Sequence, residues 1–207
     1  FAGEILSSGG VGKRIVTFAR ALLGFLPGGL GVVTVASCLM FGGVSGSAIA
    51  DTAAIGSLVI PAMVQRGYSR GFAAALLAVA GTLALLMPLS IPFLVYAFIS
   101  GVSMRQLSMA GIAPAIIAGA ALMAVCVWHG RRSGCDSGDG RLSAREVWKA
   151  TKAAGPALLM PLIIVGGIWS GFFTPTESAA VAVVYGIVVS LALYRDITVR
   201  DLPRPIP

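Results

Sequence analysis

The sequence is poor in charge. Only 11% of its 207 residues are charged and 57% are hydrophobic, whereas a soluble domain carries about 25% charged residues. That deficit excludes an ordinary water-solvated globule. Histidine is nearly absent: His129 stands alone. The eight acidic residues form neither a carboxylate pair suited to acid–base work nor a metal-ligand cluster, and CDSGDG (135–140) does not have calcium-loop spacing. The three cysteines, Cys38, Cys126 and Cys135, are odd in number and widely spaced, which excludes a disulfide framework. Cys38 and Cys126 fall in apolar segments and read as small hydrophobes. The net charge of +7 is not the footprint of a nucleic-acid binder, because the basic residues sit in short loops between apolar runs and not on one clustered face.

What the sequence does hold is apolar length. Several runs approach or exceed the roughly 20 residues that cross a bilayer as a helix, so the expected fold is an all-α polytopic membrane protein. The chain begins with Phe1 and no signal peptide is visible; residues 1–9 read as the end of a truncated helix, and the sequence is expected to be a piece of something longer. Residues 11–26 place Val11, Ile15, Phe18 and Leu22 at helical spacing, with Lys13, Arg14 and Arg20 elsewhere. This predicts an amphipathic helix lying in the membrane interface, closing the first segment at residue 27. Residues 28–70 form an apolar region interrupted at its centre by GGVSGSAIAD (42–51). Residues 71–104 are a long apolar segment broken at MPLSIP (87–92), and 105–130 are a clean span. Residues 131–155 read as a polar cytoplasmic loop. Residues 156–194 form a pair of spans around FTPTE, and 195–207 a tail without evident structure.

Charge placement orients these pieces. Lys and Arg mark the cytoplasmic side of membrane helices. Lys13, Arg14 and Arg20 precede the 28–63 run, and Arg66 and Arg70 follow it, so both of its ends belong inside. A segment that starts and ends on one side, with a Gly/Ser-rich middle, is a re-entrant helical hairpin. A single crossing there would put the basic loop carrying Arg131, Arg132, Arg141, Arg145, Lys149 and Lys152 outside, against the rule.

Two places then draw attention as candidate sites. Irregular backbone at membrane depth is tolerated only where it is buried in protein or lines a watery cavity. At the hairpin tip, Gly42, Gly43 and Gly46 let the chain turn, and Ser45 and Ser47 add hydroxyl oxygens. Carbonyls at such a break suit a cation, and the start of the following half-helix can face an anion. Helix–helix packing also uses small residues, but packing alone does not explain two cytoplasmic ends. Asp51 is the one acid deep in an apolar run, a candidate ligand by position, although an acid in a first helical turn also favours the helix dipole. In the second break, Pro88 and Pro92 each remove a backbone donor around Ser90, which predicts an unwound stretch.

Other motifs read as structure. Thr174, Pro175 and Glu177 form a capping box with proline at the first helical position. Ser143 and Glu146 form a second box, predicting a short cytoplasmic helix that ends before Gly155-Pro156. Gly43-Val44-Ser45-Gly46 fits the GxSG pattern of rhomboid-type intramembrane serine proteases, but a serine nucleophile needs a base within reach. His129 falls at the far end of another span, so no enzyme is expected.

The runs FGGVSGSAIADTAAIGSLVIPAMVQRGYSRGFAAALLAVAGTLALLMPLSIP and GGIWSGFFTPTESAAVAVVYG strongly resemble the large membrane subunit (DctM-like) of tripartite ATP-independent periplasmic (TRAP) transporters, and the chain would cover about the middle of that subunit. The resemblance implies one inverted repeat of an elevator-type transporter in the bacterial inner membrane. It also implies sodium as coupling ion with no other cofactor, and import of small organic acids such as C4-dicarboxylates or sialic acid. A periplasmic substrate-binding protein and a small TRAP membrane subunit would be its partners. By this likeness Ser45, Gly46 and Ser47 sit at the first hairpin tip, and Thr82, Pro88, Ser90 and Pro92 in or near the broken helix facing it, together forming a sodium site and part of the substrate cavity. Two departures bear on that geometry: Leu89 follows Pro88 where the family has a second proline, and Ala84 stands where a glycine is expected. A non-transporting membrane assembly module is the alternative function.

Overall fold

The computed structural model describes residues 10–88, 90–135 and 144–189, and among these the regular structure is helical throughout, as expected. Helix α1 (Val11–Leu23) begins after Gly10. It buries Val11, Gly12, Ile15 and Ala19 and exposes Lys13, Thr17, Arg20 and Leu22. The buried stripe is therefore displaced from the one expected over Val11, Ile15, Phe18 and Leu22. Ala19 replaces the larger residues because α1 packs closely on α2, where Ala19 meets Val33 and Ala36.

Helix α2 (Gly29–Ser45) occupies the centre of the molecule. It packs against α1, α3, α4 and α6, and residues 29–38 are buried on every face. Helix α3 (Ala48–Gln65) runs back along it. Thr34, near the start of α2, lies 3.7 Å (Oγ to Sδ) from Met63, near the end of α3, so the two helices form an antiparallel hairpin with only Gly46 and Ser47 between them. α3 buries Asp51, Ile55, Gly56, Val59 and Met63, a single helical face directed at the core.

Beyond the hairpin the chain turns at Ser69, whose side chain accepts from the Phe72 N–H and caps helix α4 (Arg70–Leu83). A 3₁₀ turn (Ala84–Leu86) follows, and then helix α5 (Ile91–Ser100). Helix α6 (Met104–Ser133) returns; its 30 residues span roughly 45 Å at 1.5 Å per residue. The base of the hairpin is tied to the far end of α6 by an aromatic stack. The rings of Phe72 and His129 lie 3.9 Å apart at 9°, and Tyr68 stacks on Phe72.

Helix α7 (Ala144–Ser170) packs along α1, and helix α8 (Pro175–Val188) along α7. These elements correct the expectation of a loop over 131–155. α6 continues to Ser133, and the helix that starts at Ala144 does not end before Gly155-Pro156 but runs through Pro156 and Pro161 to Ser170. Proline removes one hydrogen bond and kinks a helix, yet the buried row Ala150, Ala154, Ala157, Met160, Ile164 and Ile168 holds one continuous face against the core. Tyr185 of α8 donates to the Pro156 carbonyl at 2.9 Å beside the first proline. The Ser143 half of the expected capping box lies outside the described residues.

Among the described residues four stretches are long and apolar enough to cross a membrane: Ala48–Gln65, Arg70–Ser100 taken together, Met104–Ser133 and Ala144–Ser170. α2 is apolar but shorter, its run covering Gly29–Gly43.

Candidate functional site

The hairpin turns where the sequence supplies the residues for it. Gly46 closes α2 with φ 61° and its N–H bonded to the Gly42 carbonyl at 3.1 Å. That left-handed conformation is open to glycine at no steric cost. Ser47 is extended and N-caps α3, its hydroxyl accepting from the Ala50 N–H at 3.4 Å. The Ser45 hydroxyl receives the Ser47 N–H at 3.1 Å and itself donates to Asp51 Oδ1. Ser45, Ser47 and Asp51 thus form one hydrogen-bonded group at the tip.

Asp51 is fully buried. Its Oδ1 takes the Ser45 hydroxyl, whereas Oδ2 has no hydrogen-bond partner among the described residues. The carboxyl sits beside Gly42. A Cβ at Gly42 would lie 3.0 Å from Asp51 Oδ2, 2.5 Å from Ala84 Cβ and 2.7 Å from Ala84 Cα. The absent side chain at Gly42 is what lets the end of α2, the first turn of α3 and the 3₁₀ turn after α4 converge. Ala84, where the family resemblance anticipates glycine, is accommodated by this glycine opposite.

The second break meets the first here. The Ile91 N–H, first of α5, donates to the Gly46 carbonyl at 3.4 Å. Ser90 is fully buried and N-caps α5, accepting from the Phe93 N–H at 3.4 Å. The remaining first-turn position is Pro92, which has no N–H to satisfy. Met87 donates to Ala84 and Ser90 to Met87, both at 3.1 Å, so the unwound stretch carries its own turn bonds.

Among the anticipated site residues, the structure brings together Ser45, Gly46, Ser47, Asp51 and Ser90. Pro88 is buried, with its carbonyl accepting from the hydroxyl of Ser108 on α6 at 3.0 Å. Thr82 and Pro92 are exposed, and the Thr82 hydroxyl is bonded to the Val79 carbonyl of its own helix at 2.7 Å. Ser108 was not anticipated as a site residue; a lone serine in an apolar span carries no signal unless its partner is known. Among the described residues no group of three or more His, Cys, Asp or Glu side chains converges on a metal position. The protease pattern finds no histidine at the tip: the Ser45 hydroxyl donates to the Asp51 carboxyl, and His129 stacks on Phe72 at the opposite, base end of the hairpin.

Comparison with known proteins identifies the family. The family model for the tripartite ATP-independent periplasmic transporter, DctM component, matches residues 1–206. The chain is 42% identical over 201 residues to the 2,3-diketo-L-gulonate TRAP transporter large permease protein of Escherichia coli K12, covering 97% of this chain and 47% of that one. It is 37% identical over 217 residues to the C4-dicarboxylate TRAP transporter large permease protein of Rhodobacter capsulatus, covering 98% and 49%. It is 40% identical over 197 residues to the isethionate TRAP transporter permease protein DctMQ of Oleidesulfovibrio alaskensis, covering 95% and 31%. The chain therefore spans less than half the length of each of these relatives. With a family match over nearly every residue, the chain belongs to the DctM component family of tripartite ATP-independent periplasmic transporters.

Proposed function

We propose that the chain is part of a sodium-coupled secondary transporter of the bacterial inner membrane that imports small organic acids. The substrate is delivered by a periplasmic binding protein, and a small membrane subunit supports the permease. The observation that carries this reading is the junction of two broken elements: the Gly46 carbonyl at the hairpin tip receives the first N–H of α5, next to the fully buried Asp51 carboxyl, one oxygen of which has no partner among the described residues. Hard monovalent and divalent cations take oxygen ligands. The tip and the break offer the hydroxyls of Ser45, Ser47 and Ser90 and Asp51 Oδ2. The positive end of α3, capped by Ser47, suits the carboxylate of an organic acid. Relatives named for diketogulonate, C4-dicarboxylates and isethionate are consistent with an anionic substrate. In this reading α2 and α3 form a re-entrant hairpin with both ends cytoplasmic, since Arg66 and Arg70 cap the same end as His129, Arg131 and Arg132.

The test is uptake in proteoliposomes with the binding protein and small subunit present, on the 207-residue chain and on a form extended to the length of its relatives. The expected result is uptake by the extended form that follows an imposed sodium gradient and is lost about a hundredfold or more in Asp51→Asn. Uptake that ignores sodium, or an Asp51→Asn variant that transports normally, sinks the assignment.

A further inference from the structure

The broken segment between α4 and α5 has an accounting problem that the sequence creates and α6 solves. In a continuous helix the Pro88 carbonyl would accept from the N–H four residues on. That residue is Pro92, which has none. A buried carbonyl without a donor costs about as much as a lost hydrogen bond, and Pro88 is buried. The donor comes from twenty residues away: the hydroxyl of Ser108, a residue only 1% exposed, reaches it at 3.0 Å. One turn along the same face of α6, Gly111 lets the break approach further. A Cβ there would lie 2.8 Å from the Leu86 carbonyl and would overlap the Phe93 ring. Ala115 continues the buried row.

The break is thus held on two sides. On one, Ser108 and Gly111 of α6 hold Pro88 and Leu86. On the other, the Gly46 carbonyl of the hairpin tip holds the Ile91 N–H. The Pro88 carbonyl is bonded to α6 and the Ile91 N–H to the tip, so the break is tied to both neighbours on either side of its turn. We propose that Ser108 is a positioning residue of the transport site: its hydroxyl fixes the unwound segment against α6 so that the segment meets the hairpin tip in one geometry, without itself touching ion or substrate. This rests on the reading of the tip and break as the transport site. Replacing the hydroxyl leaves a buried carbonyl unpaired, so the break relaxes toward other arrangements, and the population that matches the tip falls.

The experiment uses the extended protein with its partners. Wild type, Ser108→Ala and Ser108→Thr are compared by half-saturating sodium, half-saturating substrate and maximal uptake rate, and by amide hydrogen exchange over residues 84–94 without sodium. Ser108→Ala is expected to raise half-saturation about tenfold and to speed exchange of the segment about tenfold, while the maximal rate stays within about twofold; Ser108→Thr, which keeps the hydroxyl, restores both. Faster exchange with unchanged half-saturation reduces Ser108 to a structural tie and overturns the positioning role. Unchanged exchange, or failure of threonine to restore what alanine loses, overturns it as well. Wild-type uptake indifferent to sodium would defeat the sodium coupling but not this inference, which substrate half-saturation and exchange still decide.

Discussion

Helices α2 and α5 are both almost wholly apolar, yet they live in opposite surroundings. α2 is enclosed by four helices and has Val33, Val35, Cys38 and Phe41 with no exposed surface. α5 has no buried residue at all, and Phe98 and Ile99 are 88% and 79% exposed. Hydrophobicity does not separate them. Side-chain size does: α2 is built from Gly, Val, Ala, Ser, Thr and Cys with few large residues, whereas α5 reads IPFLVYAFIS. In hydrocarbon an apolar side chain gains little by leaving the lipid, so association favours helices whose small residues allow close backbone approach. Large apolar residues can stay in lipid at no cost. The central helix of this molecule is the one with the least bulk.

Substitutions that exchange the two environments test this contrast. Phe41→Ala empties a fully enclosed site on α2 and is expected to cost about 3–5 kcal/mol, read by thermal or detergent unfolding of the reconstituted protein. Gly42→Ala drives a methyl group toward Ala84 and Asp51; the expected loss is about 1–3 kcal/mol, together with a fall in uptake, because the same methyl separates the tip from the break. Ser47→Ala removes the cap of α3 and should cost about 1 kcal/mol, an effect that Ser47→Asp recovers in unfolding measurements. Phe98→Ala on α5 is expected to change stability by no more than about 0.5 kcal/mol. A cost at Phe98 comparable to that at Phe41 would mean that α5 is covered by protein, and would remove the contrast. A cysteine at position 98 should react with lipid-soluble maleimides while one at Val33 stays protected.

The two breaks differ in how far they could be read in advance. Gly46-Ser47 is legible because each residue solves a local problem, a left-handed turn and an N-cap, and neither solution needs a distant partner. The Thr174 box is similar, with Glu177 accepting the Thr174 N–H at 2.8 Å. Pro88 and Pro92 announce an interruption, but not where its carbonyls point. Ser108 and Gly111 are visible only as small residues three apart on α6, and nothing nearby in the chain says what they accommodate. Gly155-Pro156 misleads in the other direction. Locally it is a helix breaker, yet the helix continues because an alanine row beyond and before it is packed. The Thr82 hydroxyl donates to the Val79 carbonyl of its own helix, a bond within one turn that the sequence does not announce.

From the sequence alone came the membrane character, the helical class, the hairpin with its Gly-Ser turn and the proline break, all consequences of composition and of conformational limits acting over a few residues. The tertiary structure decided which apolar helix is central and that the tip carbonyl meets the first amide of α5. It also decided that Asp51 is enclosed beside Gly42, and that the hydroxyl of Ser108 supplies the donor Pro92 lacks. Those outcomes depend on which backbones can approach, and close approach is a property of pairs of helices that no single stretch of chain carries.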